Sequence, residues 1–388
     1  MAYFVLFIFF ALYFGAHWLV YCFFVCILDW RGINQKFYLK ISLTFLAASF
    51  ILAFFISHFF DNFLTQIFYV FSGLWLGVLV NSVIFIALFF LVYFFCRIFK
   101  VNLHKKLLGF VFLGLALLFS IYGIINVFRI QVNHIEVSIK DLPPQWENKK
   151  IVQLSDVHLG RVLGKLFLRQ VIGETNQLNP DLLVITGDLF DATDGTMFEL
   201  AKLFKEFNSA QGIFYVTGNH EVYLGTDEIK AAIAGTNVQL LNDEVRTIDG
   251  LQFIGISYPE FNQVKDINKI ITINPNFDQA KPTVLLYHSP SSILSDGNSD
   301  HSDAYFRPDM DFDTAKKLGI DLQLSGHTHR GQIFPFNFIT RVIFQGYDYG
   351  LHTLGDFNIY TTSGTGVWGP TMRTSSRSEI VEIILKRK

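Results

Sequence analysis

Four apolar runs, at about residues 2–28, 41–60, 67–96 and 107–128, constrain this chain before anything else does. Each reaches the ~20 residues that a helix needs to cross a ~30 Å hydrocarbon core. Lipid offers the backbone no hydrogen-bond partners, so runs of this length are expected as membrane-spanning helices. The first run lacks a basic leading segment, is too long for the apolar stretch of a signal peptide, and is followed by three more. It therefore reads as a retained anchor. Trp18, Trp30, Tyr38 and Tyr93 are candidates for anchoring at the interfaces.

The loops set an expected orientation. Arg31, Lys36 and Lys40 lie between the first two runs, and Arg97, Lys100, Lys105 and Lys106 between the last two. The N-terminus and the Asp61-Asn62 turn carry no Lys or Arg. Basic residues accumulate on the cytoplasmic side, so both termini, and everything after residue 128, are expected outside the cytoplasm. His17, His58, Asn81, Ser82 and Asn126 are polar residues within the runs. With no acid and no periodic polar set beside them, they read as interhelical hydrogen-bonding groups rather than a proton or substrate path.

From about residue 129 the composition changes, and two domains are expected: a transmembrane region over 1–128 and a soluble domain over 129–388. Of the 31 Lys and Arg only seven precede residue 129, and of the 33 acidic residues only two, leaving 24 bases against 31 acids beyond it. That acidity argues against nucleic acid and against an anionic lipid surface as partners. All three cysteines (Cys22, Cys26, Cys96) lie in the apolar part, so the soluble part has neither a disulfide framework nor a thiolate metal site.

Short apolar runs now alternate with turn residues. Strands are expected at 130–139, 150–154, 182–186, 213–217, 251–257, 283–287, 322–325, 358–362 and 380–385, and helices at 163–177, 197–207, 226–234 and 312–318. The pattern is that of a layered α/β domain with a mixed central sheet. Residues 291–313, with Asp296, Asp300, His301, Asp303, Asp309, Asp311 and Asp313, read as a long acidic insertion on one rim.

Five of the expected strands end in metal-ligating side chains: Asp156 and His158; Gly187-Asp188; Gly218-Asn219-His220-Glu221; His288; and Gly326-His327-Thr-His329. Ligand crevices in α/β sheets form outside such strand ends. Carboxylates, imidazoles and an amide, without thiolates, suit two divalent cations of the Mn, Fe, Zn, Ni or Mg type. A pair of cations sharing a carboxylate clamps the attacking and leaving oxygens of an in-line displacement at phosphorus and lowers the pKa of bound water. Single blocks of this kind also occur as helix caps or turns; five in order point to a site.

Asp156-x-His158, Gly187-Asp188, Gly218-Asn219-His220-Glu221, His288 and Gly326-His-x-His329 resemble the calcineurin-like metallophosphoesterase superfamily, in order across most of 149–388. The stretches Gly326–Ile333 and Ser363–Arg373 resemble its membrane-anchored, multi-span branch. The resemblance implies a four-layer α/β/β/α domain with two metals over the strand ends. It implies Asp156, His158, Asp188 and His329 around the first metal, and Asp188, Asn219, His288 and His327 around the second. His220 is implied as the catalytic residue that stabilises the phosphoryl group and protonates the leaving oxygen. Arg161 and Arg330 either grip a substrate phosphate or pair with acids. Glu221 either orients His220 or lies at the surface, and Gly364–Gly366 is either a phosphate-binding nest or a tight turn. Trp368 and Met372 either touch an acyl chain or pack in a core.

The expected function is hydrolysis of a phosphate ester by a metal-activated hydroxide outside the cytoplasm, with the bilayer and a phosphate ester, lipid-linked in one version, as partners. Two alternatives stand beside it. One is a cytoplasmic-face enzyme resembling the UDP-diacylglucosamine pyrophosphatases of lipid A synthesis, and the other is a non-catalytic membrane sensor or scaffold.

Overall fold

The apolar runs form helices α1 (Ala2–Leu28), α2 (Ile33–Phe59), α3 (Phe63–Ile98) and α4 (Lys105–Phe128), in a computed structural model that describes residues 2–60, 62–191, 196–260, 265–292 and 308–388, without the side chains of 2–6 and of His58. All four are long and apolar enough to span a bilayer. Helix α2 starts well before its apolar run, because nothing between Gly32 and residue 41 breaks a helix. Helix α3 opens on a capping box in which the Asn62 side chain accepts from Leu64 N and Thr65 N, and it runs for 36 residues. At 1.5 Å per residue that is about 54 Å, longer than the hydrocarbon core.

The chain divides into two compact units, Met1–Ile125 with Gly369–Thr374, and Asn126–Trp368 with Ser375–Lys388. In the first, Phe23 meets Phe89 edge to face, with ring centroids 5.2 Å apart. Trp75 Nε1 donates to His17 Nε2 at 3.1 Å, and Asn81 Nδ2 donates to Ser120 Oγ at 2.9 Å. His17 and Asn81 thus join helices, as expected of polar groups in lipid; the His58 side chain lies outside the described residues. The segment Gly369–Thr374 packs against α3 and α4: Arg373 N donates to Gly123 O at 2.8 Å, and Met372, fully buried, covers Gly77.

In the second unit the strands are β1 (Gln131–Ile139), β2 (Lys150–Leu154), β3 (Leu182–Thr186), β4 (Ile213–Val216), β5 (Val238–Leu240), β6 (Glu244–Ile248), β7 (Leu251–Ile256), β8 (Thr283–Tyr287), β9 (Leu322–Ser325), β10 (Gly350–Leu354), β11 (Phe357–Thr361) and β12 (Glu379–Arg387). They form two six-stranded sheets, ordered β1-β12-β2-β3-β4-β5 and β10-β11-β9-β8-β7-β6. This replaces the single mixed sheet suggested by the strand–helix alternation and agrees with the four layers implied by the family resemblance.

Alternation along the strands explains the layering. On β3, Leu182 and Val184 join Phe214, Phe253, Val284 and Leu324 between the sheets, while Leu183 and Ile185 face the helical layer. On β8, Val284 and Leu286 face inward, and Leu285 and Tyr287 meet the other helical layer. Strands buried on both faces read as unbroken apolar runs, which is why they were visible in the sequence. The first helical layer contains α5 (Lys165–Gln177), through Phe167, Leu168, Val171 and Ile172. Among the described residues six strands and α-helices went unforeseen: β5, β6, β10 and the helices Asn219–Leu224, Ile267–Thr272 and Phe336–Ile343. β5 and the helices Asn219–Leu224 and Ile267–Thr272 are short, β6 and β10 are only partly buried, and Phe336–Ile343 turns apolar residues outward. Within the expected acidic insertion, residues 293–307, including Asp296, Asp300, His301 and Asp303, lie outside the described residues.

Candidate metal centre

Each ligand cluster stands where a buried strand stops: Asp156 and His158 after β2, Asp188 after β3, Asn219 and His220 after β4, His288 after β8, and His327 and His329 after β9. The backbone there is unusual. Asp156, His158, Asp188, His327 and His329 have φ of 51°, 50°, 49°, 73° and 48°. A non-glycine residue in this left-handed region costs about 1–2 kcal/mol, and such strain persists only where surrounding structure imposes it. Here neighbouring loops impose it: Asp156 N donates to Gly187 O, His158 N to Asp188 O and Gly366 N to Asp156 O, at 3.0, 3.0 and 2.8 Å. At Gly187, φ is +90°, and a Cβ would collide with the His288 ring and Gly218 Cα. Only glycine lets β3 and β8 end so close together.

These loops bring all seven expected metal ligands together. On one side His329 Nε2 lies 3.1 Å from His158 Nε2 and 3.4 Å from Asp156 Oδ1. On the other, His327 Nδ1 lies 3.1 Å from His288 Nε2 and 2.9 Å from Asn219 Oδ1. Asp188 Oδ2 reaches both, at 3.2 Å from His288 Nε2 and 3.8 Å from His158 Nε2. The sets Asp156–His158–His329 and Asp188–His288–His327 each offer ligand atoms within 4.8 Å of one another, as does an overlapping set, His158–Asp191–His220.

The donors fit divalent cations. His288 Nδ1 donates to Thr186 O at 2.7 Å, which fixes the tautomer and turns Nε2 toward Asp188. Two imidazole nitrogens facing each other at 3.1 Å repel unless a proton or a cation lies between them. His158 Nδ1 is buried without a hydrogen-bond partner among the described residues.

Charge and burial divide the group. Burial, then the charge of His220, holds His158 well below its ordinary pKa, and burial, then His288, takes His327 down to about 3. Both are therefore neutral and able to donate a lone pair. Burial would lower His288, but the Asp188 carboxylate outweighs it and lifts His288 to about 9. Burial would likewise raise Asp188, yet His288 and His220 keep it well below the carboxylate range. Burial raises Asp156, with His288 opposing.

The remaining candidates sort themselves by contact. His220 is nearly buried; its ring centroid lies 4.5 Å from that of His158, and its Nδ1 lies 3.4 Å from Asp191 Oδ1. Asp191 was not singled out in the sequence, although it stands three residues after Asp188. Glu221 neither orients the His220 ring nor lies at the surface: it is fully buried and accepts from Gly218 N, Asp188 N and Phe190 N. The amides of Thr365 and Gly366 donate to Ser155 O and Asp156 O, and Gly364 N to Thr362 Oγ1, so this stretch holds the Asp156 loop and is no phosphate nest. Arg161 is buried, whereas Arg330 is exposed with its guanidinium 4.1 Å from the Tyr349 ring centroid. Trp368 is not a core residue: it is 54% exposed and lies 5.9 Å from the His220 ring, while Met372 is core. Tyr258, also unforeseen, packs 5.8 Å from His288 and 6.0 Å from His327.

Comparison with known proteins identifies the family. The sequence profile of the calcineurin-like phosphoesterase family matches residues 149–331. An uncharacterised metallophosphoesterase of Campylobacter jejuni is 33% identical over 292 residues, covering 74% of this chain and 72% of that protein. One from Helicobacter pylori is 35% identical over 62% of this chain and 60% of its own length. A transmembrane protein with metallophosphoesterase domain from Danio rerio is 30% identical over 69% of this chain and 60% of its own length. The matched profile, these relatives, and four helices able to cross a bilayer lead to one conclusion: the chain belongs to the calcineurin-like metallophosphoesterase family, as a membrane-associated member of it.

Proposed function

We propose that the chain is a membrane-anchored, two-metal phosphoesterase whose catalytic domain, residues 129–388, works outside the cytoplasm. The observation that carries this reading is the position of Asp188 Oδ2, 3.2 Å from a nitrogen of one histidine set and 3.8 Å from a nitrogen of the other. That is where a carboxylate shared by two cations must stand. Asp156, His158, His329 and Asp188 would hold one divalent ion, and Asn219, His288, His327 and Asp188 the other; these donors accept Mn, Fe, Zn, Ni or Mg-type ions. Once bound, such a pair supplies Lewis acidity, makes water nucleophilic near neutral pH and neutralises the oxygens of a phosphate ester.

The protein's own residues do the rest. Asp191, beside His220 Nδ1, favours a proton on that nitrogen and steadies the charged imidazolium, so His220 can hand the proton on its other nitrogen to the leaving oxygen. The left-handed loops and Glu221 keep the ligands fixed, so little reorganisation is needed when substrate binds. Arg330, exposed on the turn that carries His329, and Arg161 are the groups proposed to grip the phosphate by their planar forks. The anchor supports a substrate presented at the bilayer, and the basic loops flanked by apolar runs support an extracytoplasmic domain.

The test is the purified full chain assayed with each metal against an aryl monoester, a diester, a pyrophosphate and a lipid phosphate, beside Asp188→Asn. Metal-dependent hydrolysis of at least one class is expected, with a loss of about 100-fold and a lower metal content in the variant. Equal rates for variant and wild type would sink the reading. A reporter fused after Lys388 tests the orientation, and a cytoplasmic signal would overturn that part alone.

A further inference from the structure

The helix Phe336–Ile343 is built inside out. Phe336, Phe338, Ile339 and Val342 are 43%, 58%, 52% and 78% exposed. At 100° per residue they occupy one arc of about 160°. Thr340, outside this arc, donates to Asp348 Oδ2 at 3.2 Å. A helix on a water-facing surface has the reverse arrangement. Arg341, exposed, supplies a basic group at the flank of the apolar face.

The root of this helix is also where the chain passes between its two units. Gln332, in the turn that follows His329, binds Trp368 twice: its Nε2 donates to Trp368 O at 2.9 Å, and its Oε1 accepts from Trp368 N at 3.1 Å. Ser375 N donates to Gln332 O at 3.2 Å. Between those two residues runs Gly369–Thr374, which packs among the apolar helices. The segment that packs against α3 and α4 thus follows Trp368 directly along the chain.

We propose that Phe336–Ile343 lies in the headgroup–acyl boundary of the bilayer that α1–α4 cross, with its apolar face in lipid, so that the His220 and Trp368 side of the metal centre faces phosphate esters of membrane lipids. Amphipathic helices bind in this plane through buried apolar area and a basic flank. Lipid is the occupant rather than a second copy, because four side chains fall well short of the ~800 Å² that each partner contributes to a stable interface. The substrate part rests on the phosphoesterase reading above; the docking does not.

The test uses the full chain in nanodiscs, with Cys22, Cys26 and Cys96 replaced by serine and a polarity-sensitive dye on Val342→Cys. Lipids carrying a headgroup or mid-chain nitroxide are added, and Lys230→Cys serves as the exposed control. Blue-shifted emission and several-fold stronger quenching at 342 than at 230 are expected. Water-like, unquenched emission overturns the docking. So does a dry but unquenched probe in particles of doubled mass, which would show a second copy on this face. In Val342→Asp, the ratio of rates on a lipid phosphate to those on a water-soluble aryl phosphate should fall about tenfold, the scale of losing one buried apolar side chain. An unchanged ratio overturns the substrate assignment. A wild-type chain that hydrolyses neither substrate refutes the phosphoesterase reading and leaves the quenching result standing.

Discussion

Glu221 shows how a single buried carboxylate organises a site through backbone amides. Its two oxygens accept from Gly218 N at 2.7 Å, Asp188 N at 2.8 Å and Phe190 N at 3.1 Å, tying the loop after β4 to the loop after β3. Glu221→Gln preserves the shape but turns one acceptor into a donor that faces an amide. A buried polar group left unpaired costs about 1–3 kcal/mol. The variant should melt at lower temperature and retain less metal while keeping its circular-dichroism spectrum; an unchanged melting temperature would refute the role. Asp321, ahead of β9, accepts from Thr283 N at 2.8 Å, yet burial pushes its pKa up to about 6 against the pull of that amide. Its folded pKa thus exceeds the ~3.9 of an unfolded aspartate. Its stabilising contribution is complete below about 3.9 and is lost as pH rises through about 6. Melting curves from pH 4 to 7 should show this loss in the wild type and its disappearance in Asp321→Asn; equal slopes would contradict it. The candidate metal ligands were legible one by one because the chemistry dictates residue type. Asp191 and Glu221 were not, since what a carboxylate does depends on which loop arrives beside it.

At the scale of elements, the informative unit is the strand with the left-handed turn at its end. Gly187→Ala tests that unit. The φ of +90° strains any side chain, and the new methyl meets the His288 ring and Gly218 backbone. A loss of at least about 1–2 kcal/mol is expected from the backbone conformation alone, together with reduced metal content measured on the purified chain. Wild-type metal stoichiometry would show that the turn tolerates a Cβ. The same elements explain what sequence alone gave away. Strands β2, β3, β8 and β9 are buried on both faces, so their apolar runs, ended by Gly or a ligand, were read almost to the residue. Strand β6 buries only Val245 and exposes the adjacent Arg246 and Thr247, and β5 is three residues long, so neither left a signal. Phe336–Ile343 escaped for the opposite reason: its apolar residues face outward, where a pattern search expects polar ones. The partition into two sheets depends on which strands pair, and no local periodicity encodes that.

For the whole molecule, the two units share one continuous chain more than once. Gly73 and Gly77, one turn apart on α3, leave room for Gly369 and Met372, and Asn81 Nδ2 lies 3.5 Å from Met372 Sδ. Small residues at this spacing ordinarily let two helices approach; here they admit an extended segment. Gly77→Ala should push Met372 out and expose residues 369–374 to protease, while Gly77→Ala combined with Met372→Ala should regain protection. Non-additive cutting rates would measure the contact, and simple additivity would show that the two residues do not meet. Strand β1 leaves the last helix almost at once, yet within its sheet it pairs with β12, and His134 meets Glu382 across 248 positions. Until synthesis passes residue 387, β1 has no neighbour and β2 has an open edge. Bare edges of this kind invite pairing with the wrong chain. The newborn domain therefore spends nearly its whole translation with its first strand waiting for its last, and that interval is when it most needs a chaperone.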